Sequence, residues 1–320
     1  MTRKGMRTRS GALLAVALVC VLTVTSCGST SQPSAADDDR RDRADPAQPS
    51  AAAGTARVVA AGDIACKPRS RVRPWKCRHR ATAKVAARMR PHVVLPLGDL
   101  QYERGTLRQF RRSYARSWGK LASRTRPTIG NHEYGTPGAR GYFSYFWSRQ
   151  PGPPGYYRTT TGSWALYHLN SNCSMVNCAS QAAWLDQQMT ARPARCTLVT
   201  MHHPRFSSGS HGNQTFVEPL WDVAYEHRND LVLSGHEHLY ERFLPMDGAG
   251  RIEPSRGMQS FIVGTGGKDL FPYGTRKAGS AYLQNRLFGV LVLVLHDGWY
   301  SWGFKAVTGQ ILDRGARSCV

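Results

Sequence analysis

Five short apolar runs in this chain of 320 residues each end at a cluster of Gly, Asp, Asn or His residues. The runs are Val58–Ala61, Val93–Leu97, Pro127–Ile129, Thr197–Met201 and Leu231–Leu233. Apolar runs of this length between Gly and polar residues indicate buried β-strands. Because loops at the carboxyl ends of strands converge in an open α/β sheet, we expect the five clusters to meet in one pocket.

Longer stretches of helical composition alternate with apolar runs. The predicted helices are Ala81–Met89, Leu107–Trp118, Gln181–Met189 and Val217–His227. Further predicted strands are Ala165–Leu169, Ser260–Val263, Phe288–Leu295 and Tyr300–Val307. This order predicts a mixed α/β fold with a strand-rich C-terminal part. With 41% hydrophobic residues, the chain has enough apolar material for a buried core.

The first 27 residues predict a signal peptide rather than part of the fold. A basic start precedes the apolar stretch 11–24, which is too short for an ordinary membrane span. The stretch ends in VTSC, which resembles a bacterial lipobox and makes Cys27 the predicted lipid-modified membrane anchor. The alternative is an ordinary signal peptide that is cleaved nearby, so we expect an exported protein, either a lipoprotein on the outer face of the cell membrane or a secreted protein.

Residues 28–56 are rich in Ser, Ala, Pro and Asp, with almost nothing to bury. This composition predicts a disordered tether. Residues 57–320 remain as one predicted domain.

Export changes how the cysteines are interpreted. Six remain beyond Cys27, an even number that predicts three disulfides in an oxidising compartment. Six cysteines allow fifteen connectivities, and we favour pairing of neighbours. The favoured pairs are Cys66 with Cys77, Cys173 with Cys178, and Cys196 with Cys319. Zinc binding by these residues is the weaker alternative, since no spacing is a C-x2-C pair.

The formal net charge is +22, which favours anionic partners such as phosphate esters, nucleic acid or anionic lipid. Most basic residues are scattered, and we favour an ordinary solvated surface over a specific nucleic-acid site. A dense basic run between Lys67 and Arg90 is the exception. Nucleic acid is not expected to be the main partner of an exported protein.

The strand-end clusters offer a mixed set of metal ligands. Carboxylates, an amide oxygen, a phenol and imidazoles are present, which suit Zn, Fe or Mn better than Ca or Mg. The candidate ligands are Asp63, Asp99, Tyr102, Asn131, His202, His236 and His238. A carboxylate can bridge two cations, and such a pair activates water for attack on phosphorus and neutralises the phosphate oxygens.

The motifs around these residues resemble those of the calcineurin-like metallophosphoesterases. The motifs, in order, are Gly62-Asp63, Gly98–Tyr102, Gly130–Glu133, Val199–His202 and Gly235–His238. Tyr102 and the continuation HLYER after Glu237 are most similar to the purple acid phosphatase branch. The similarity spans Arg57–Val307 and implies a four-layer αββα sandwich, in which two mixed β-sheets are flanked by helices and a dinuclear metal site lies at the carboxyl ends of the strands.

The resemblance also implies a role for each ligand. Asp99 would bridge the two metals. The first metal would be bound by Asp63, Tyr102 and His238, and the second by Asn131, His202 and His236. In relatives with the tyrosine the first metal is Fe(III), and the second would be Fe, Zn or Mn. His132 would lie beside the phosphate as the catalytic residue, and Asn131 would also contact the substrate.

One departure concerns the first motif. Many relatives in the superfamily have Asp-x-His there, whereas this chain has Ala65. Purple acid phosphatases also lack that His and use the tyrosine, so Tyr102 is the expected replacement. The alternative is that Tyr102 only packs against the site and a water completes the coordination.

Other candidate site residues are supported by weaker sequence patterns. His203 and His211 are expected to contact the substrate, although the first can equally pack beside His202 and the second can be an ordinary loop residue. Glu133 can orient His132 or a metal-bound water, or it can anchor its loop. The glycine-rich stretch 264–267 lacks the Lys-Ser/Thr pair of a phosphate-binding loop and predicts a structural turn. His79 and His92 have no partner motif and are expected to be ordinary polar residues.

The leading hypothesis is an exported phosphatase that hydrolyses phosphate monoesters through attack of metal-bound hydroxide on phosphorus. Within the same chemistry, the alternative is a phosphodiesterase that acts on nucleotides or phospholipid headgroups. A hypothesis of another class is a lipid-anchored binding protein that has lost catalysis, which we disfavour because loss of activity usually erodes metal ligands.

Overall fold

The computed structural model describes residues 55–320, which contain five α-helices and twelve strands. The helices are α1 (His79–Arg88), α2 (Leu107–Arg112), α3 (Arg140–Tyr145), α4 (Cys178–Ala191) and α5 (Glu218–Glu226). The first six strands are β1 (Ala56–Ala61), β2 (Val93–Pro96), β3 (Tyr157–Thr161), β4 (Trp164–His168), β5 (Cys196–Thr200) and β6 (Leu231–Ser234). The others are β7 (Tyr240–Phe243), β8 (Gln259–Val263), β9 (Ser280–Gln284), β10 (Gly289–His296), β11 (Trp299–Ala306) and β12 (Ile311–Ser318).

The strands form two mixed sheets. The first has five strands in the order β12-β11-β10-β1-β2, and the second has seven in the order β3-β4-β5-β6-β8-β7-β9. In the first sheet β1 pairs with β2 in parallel and with β10 in antiparallel orientation. In the second sheet β4, β5, β6 and β8 are parallel neighbours. The parallel strands carry most of the predicted site residues at their carboxyl ends.

Two apolar clusters hold four layers together. The larger cluster contains buried residues of both sheets, such as Leu291 and Leu198, together with Val85 of α1. The smaller cluster joins the other face of the seven-stranded sheet to Leu185 of α4 and Trp221 of α5. Helices therefore cover the outer face of each sheet, which confirms the predicted four-layer αββα sandwich.

The predicted helix Leu107–Trp118 is wrong in its second half. The α-helix ends at Arg112, and two short 3-10 segments, Tyr114–Arg116 and Trp118–Arg124, follow it. The Ser113 hydroxyl donates to the carbonyl of Cys66, and Gln101 Oε1 accepts the backbone N–H of Tyr114. The Tyr114 N–H therefore no longer donates to the carbonyl one turn earlier, and the α-helix ends.

The three predicted disulfides are all present in the pairing expected from the sequence. Cys66 is bonded to Cys77, Cys173 to Cys178, and Cys196 to Cys319. Zinc binding by these cysteines is therefore wrong. The last bond joins the end of the chain to β5.

None of the helices between residues 55 and 320 is long and apolar enough to span a bilayer. The predicted signal peptide, the anchor Cys27 and the tether up to residue 54 lie outside the described residues.

Candidate metal centre

Six of the seven predicted ligands lie on loops at the carboxyl ends of four strands. The seventh, Asn131, follows the predicted strand Pro127–Ile129, which forms only an isolated bridge between Thr128 and Leu97. Asp63 follows β1, Asp99 follows β2, His202 follows β5 and His236 follows β6. Hydrogen bonds join the ends of the two sheets: Gly62 N–H donates to the carbonyl of Val263 at 2.8 Å, and His236 N–H donates to Asp63 Oδ2 at 2.9 Å. The convergence predicted from the strand ends is therefore observed.

Three of these residues have backbone angles that L-amino acids rarely adopt. The φ angles are 57° at Asp63, 50° at Asp99 and 71° at His236. Such left-handed residues cost free energy and persist where the surrounding structure holds them, often at functional sites. Gly98 is also left-handed, and a Cβ at that position would collide with the His202 ring. The local backbone is thus shaped to aim these side chains at one point.

The first group of ligands surrounds the Tyr102 hydroxyl. Its oxygen lies 2.8 Å from Asp63 Oδ1 and 3.0 Å from Asp99 Oδ2. It also lies 2.9 Å from His238 Nε2. A phenol has one proton and can donate to only one of these three atoms. At least one contact with the two carboxylates therefore brings buried oxygen lone pairs together, an arrangement that a cation in place of the proton would stabilise, so these residues fit a metal ion.

The second group of ligands surrounds the His202 ring. Its Nε2 lies 3.0 Å from Asn131 Oδ1 and 3.5 Å from Asp99 Oδ1. The His236 ring lies 5.1 Å from the His202 ring. Ligand atoms of His202, His203 and His236 lie within 4.8 Å of one another, and so do those of Asp63, Asp99 and His202. Asp99 therefore contacts both groups, one through each carboxylate oxygen.

Hydrogen bonds on the far side of two rings fix which nitrogen faces the centre. His202 Nδ1 lies 2.8 Å from the carbonyl oxygen of Leu97, to which it can donate. His238 Nδ1 lies 2.7 Å from Asp269 Oδ1. Histidines that bind metals commonly donate their other nitrogen to a carbonyl or carboxylate in this way. The Nε2 atom of each ring is thereby left to bind a cation.

Buried negative charge dominates the electrostatics of the centre. Burial alone would lower the pKa of His202, but Asp99 beside it raises the value to about 9. Burial likewise acts to lower the pKa of His238, and Asp63 and Asp269 raise it to about 9. Burial and the neighbouring His202 hold the pKa of His236 at about 2, so its ring is neutral. Buried carboxylates that stabilise the protonated form of neighbouring histidines this strongly would also stabilise a bound metal cation.

His132 lies at the open edge of this cluster. Its backbone N–H donates to Asp99 Oδ1 at 2.8 Å, and its Nδ1 donates to the carbonyl of Glu103 at 2.6 Å. The ring centre is 4.4 Å from that of Tyr102, and 34% of the side chain is exposed. Its Nε2 lies 3.8 Å from Asp99 Oδ2, next to both groups of ligands. The ring is thus fixed on one side and open to a bound molecule on the other.

His203 and His211 flank the His236 ring, with ring centres 4.5 Å and 4.6 Å from it. His203 is buried, and its Nδ1 lies 2.9 Å from the hydroxyl of Ser171. His211 is half-exposed and is held by Glu237, whose carboxylate accepts its backbone N–H. Both predicted substrate contacts therefore lie beside the centre, and His211 lies on its exposed side.

Glu133 anchors the loops rather than orienting His132. Its side chain is fully buried, and its two carboxylate oxygens accept four backbone N–H groups, those of Asp99, Leu100, Gln101 and Gly130. These hydrogen bonds join the loop after β2 to the loop that carries Asn131. The carboxylate therefore fixes the distance between ligands that belong to different motifs.

Two side chains that support the predicted ligands were not expected from the sequence. Asp269 holds His238 as described above, and the Ser171 hydroxyl accepts the backbone N–H groups of both His202 and His203. Each partner lies about thirty residues away in the chain. Asp269 follows the glycine-rich turn 264–267, and this position is the one sequence feature that could have indicated its role.

The glycine-rich turn packs against the centre, as predicted for a structural turn. A Cβ at Gly264 would collide with the carbonyl of Glu237, and one at Gly266 would collide with that of Gly62. The Lys268 N–H donates to the carbonyl of Asp63 at 2.9 Å. The glycines thus allow the backbone to approach the first ligand closely.

The chain belongs to the calcineurin-like phosphoesterase family, whose sequence model matches residues 56–240. The fold and the strand-end clusters described above lie within or beside this region. Membership confirms the predicted superfamily.

Two of the similar proteins are purple acid phosphatases. Purple acid phosphatase 23 of Arabidopsis thaliana is 29% identical over 148 residues, which cover 39% of this chain and 32% of that protein. The structure is similar to that of purple acid phosphatase PPD1 from yellow lupin, with a TM-score of 0.71 and 17% identity over 83% of this chain and 54% of that chain. The chain spans about a third of the length of its curated relative. These matches agree with the predicted purple acid phosphatase-like branch.

A third similar structure is described as GAP50, the anchor in the inner membrane complex of Plasmodium. Its TM-score is 0.63, with 12% identity over 83% of this chain and 90% of that chain. At this identity the match concerns the fold alone.

Proposed function

We propose that this protein is an exported phosphatase that hydrolyses phosphate monoesters at a centre of two metal ions. The observation that carries the proposal is the position of Asp99. One of its carboxylate oxygens lies 3.0 Å from the Tyr102 hydroxyl and the other lies 3.5 Å from His202 Nε2. A carboxylate placed between two ligand groups is suited to bridge two cations.

In this proposal Asp63, Tyr102 and His238 hold the first ion, and Asn131, His202 and His236 hold the second. Tyr102 is a ligand rather than a packing residue, since its hydroxyl faces two carboxylates and an imidazole. When bound, the two ions would activate water and neutralise the negative oxygens of a phosphoryl group.

The protein's own residues would orient the ester and move its protons. His132 is the catalytic residue, because its ring is exposed at the edge of the centre while Nδ1 is held by the carbonyl of Glu103. Its Nε2 would stabilise the phosphoryl oxygens or protonate the departing oxygen. The Asn131 amide, His203 and His211 would contact the phosphate. The exposed side of His211 marks the direction from which the substrate enters.

Tyr102 also supports Fe(III) as the first ion, because a hard trivalent cation favours a phenolate oxygen. The second ion is proposed to be Fe, Zn or Mn. The purified protein should then be coloured, and Tyr102→Phe should remove the visible absorption band. An active protein that is colourless and free of iron would contradict the assignment of iron and leave the hydrolase intact.

The export part of the proposal is supported by the three disulfides, which persist in oxidising compartments. Cys27 is the proposed lipid anchor and 57–320 the proposed domain on its tether. Replacing Cys27 with Ala should move the protein from the membrane fraction to the medium. Retention in the membrane fraction would contradict the anchor, and retention inside the cell would contradict export.

The direct test compares nitrophenyl phosphate with bis(nitrophenyl) phosphate in the presence of Fe, Zn or Mn. We expect the monoester to be cleaved with a kcat/KM about tenfold higher or more. The reverse preference would favour the alternative, a phosphodiesterase of nucleotides or phospholipid headgroups. If neither ester is cleaved with any of these metals, the proposed enzyme is wrong.

A lipid-anchored binding protein without catalysis is the candidate of another class. GAP50 is described as an anchor, so the fold also occurs in a protein with that description. In this chain, however, all seven predicted ligands are present and converge, which favours a metal-dependent enzyme. Purified protein without bound transition metal would favour the binding protein.

A further inference from the structure

A pocket of about 510 Å³ lies between the loop that follows Cys66, the start of α1 and the end of α2. Its volume falls within the range of ordinary small-molecule sites, about 300–1,000 Å³. Five of the residues that line it are cations and a sixth is a buried histidine: Lys67, Arg69, Arg80, Arg112, Arg116 and His79. We call this feature the basic pocket. None of its lining residues belongs to the proposed metal centre.

The basic pocket accounts for the dense basic run found in the sequence. Between Lys67 and Arg90 there are ten basic residues and no acidic one. The second segment that lines the pocket, Arg112–Arg116, lies within the stretch 104–132, which also contains no Asp or Glu. Within residues 55–320, none of the five cationic side chains of the pocket forms an ion pair or a side-chain hydrogen bond. The pocket therefore concentrates positive charge that the described protein does not neutralise.

Cross-links hold the loop of the basic pocket in place. The Cys66–Cys77 disulfide closes it, and the Ser113 hydroxyl joins the α2 side to the carbonyl of Cys66. Cys77 N–H donates to the carbonyl of Lys268 at 2.8 Å, and Arg78 N–H donates to that of Gly267 at 2.7 Å. A ligand would thus meet a largely preformed wall, which reduces the entropy lost on binding.

The start of α1 supplies a second, independent sign of an anion site. No side chain caps this helix and its first turn contains no acidic residue, so the positive end of the helix dipole is not compensated. His79 is 8% exposed and lines the pocket, and its buried Nδ1 has no hydrogen-bond partner among the described residues. Buried polar atoms of this kind usually have a partner, which a bound ligand would supply.

From these observations we propose that the basic pocket is a second anion site, which binds a small molecule that carries three or more phosphate groups. A single phosphate would neutralise only part of five cations, whereas a chain of phosphates can contact several arginines in bidentate geometry. The ligand would be bound and not hydrolysed here, because the pocket contains no carboxylate to hold a catalytic metal.

The basic pocket is physically connected to the metal centre. Lys76, in the same disulfide-closed loop, lies 3.5 Å from Asp269 Oδ2, and Asp269 holds His238. Lys76 therefore links the loop of the basic pocket to a carboxylate that supports a proposed metal ligand. The binding itself does not depend on the proposed hydrolysis.

The test is a calorimetric titration of the full-length protein with a methylene-bridged triphosphate, which is not cleaved, at about 150 mM salt to screen diffuse attraction. We expect Arg80→Gln combined with Arg116→Gln to weaken one binding event about tenfold or more, because two charge-assisted contacts are lost. The matched control is Arg192→Gln combined with Arg228→Gln, which removes the same charge from exposed positions outside the pocket. This control should leave the binding event unchanged.

Two results would overturn the proposal. Equal weakening in both double variants would show diffuse electrostatic attraction rather than a site. Asp99→Asn is a change confined to the metal centre. If no binding event remains in this variant, the triphosphate binds only at that centre. Since the analogue is not cleaved, failure of hydrolysis in the esterase assay would leave this test unaffected.

Discussion

The metal centre and the basic pocket are connected by the Lys76–Asp269 pair, yet they are built in opposite ways. In the centre, the carboxylates of Asp63 and Asp99 are fully buried and lie about 3 Å from other ligand atoms. In the basic pocket, five cations are exposed and have no partner among the described residues. The sign and burial of the unneutralised charge therefore indicate which ligand each region can hold.

The two regions also differ in what holds them in place. In the centre, hydrogen bonds of the buried Glu133 hold the loops, and the left-handed backbone at Asp63, Asp99 and His236 aims their side chains. A disulfide and backbone hydrogen bonds fix the loop of the pocket. We therefore expect substitutions in the centre to affect metal and turnover strongly, and substitutions in the pocket to affect anion binding and, slightly, stability.

The largest effect is expected for Asp99→Asn. Asn tolerates the left-handed backbone of this position but loses the charge that both ligand groups share. The kcat/KM for nitrophenyl phosphate should fall on the order of 10³-fold, and the bound metal should be lost with it. Kinetics and elemental analysis of the same preparation measure both. Asp297→Asn, at an exposed position, is the control. Full metal content with normal turnover in Asp99→Asn would contradict the proposal that the centre depends on this carboxylate.

A smaller loss is expected for His132→Ala. The ring contacts the centre from its exposed edge and is not a proposed ligand, so the metals should remain while kcat falls about 10²-fold. Elemental analysis and steady-state kinetics separate the two outcomes. Loss of metal would instead make His132 part of the scaffold of the centre.

Asp269→Asn should have a more modest effect, because it acts through His238. The substitution keeps the shape of the side chain and removes the charge that holds His238 Nδ1 at 2.7 Å. We expect metal affinity to fall about tenfold. Competition with a chelator of known affinity measures this change. Asp186→Asn is the control, since its carboxylate holds His227 in the same way on the surface. Unchanged metal affinity would show that Asp269 serves the loop of the basic pocket alone.

The smallest effect concerns stability. Arg80→Gln combined with Arg116→Gln should raise the free energy of unfolding by about 0.5 kcal/mol at low salt, because like charges no longer repel one another. Thermal unfolding at low and high salt measures the change, which should vanish at high salt. If Arg192→Gln combined with Arg228→Gln stabilises the protein equally, the pocket does not concentrate charge as described.

Much of the site could be predicted because its residues mark the ends of strands. The runs before Asp63, Asp99, His202 and His236 are apolar and end at Gly or His. The positions of these four residues at strand ends can therefore be predicted from the local sequence. The residues that hold these ligands in place do not lie in a comparable sequence pattern. Asp269 and Ser171 act on ligands about thirty residues away, and a contact at that distance in the chain leaves no local pattern.

The errors in the fold have a similar cause. The predicted helix Leu107–Trp118 stops at Arg112 because its partners lie at Gln101 and Cys66, outside the segment. The strands β9 and β12 were not predicted, because β9 is half-exposed throughout and β12 contains three charged residues and a glycine. Neither has the apolar pattern of a buried strand.

Anomalous diffraction from crystals grown with Fe, Zn or Mn tests the central claim most directly. The account predicts two peaks about 3.5–4 Å apart with Asp99 between them. Asp63, Tyr102 and His238 should contact one peak, and the side chains of Asn131, His202 and His236 the other. A single peak, or two peaks that do not share Asp99, would contradict the account.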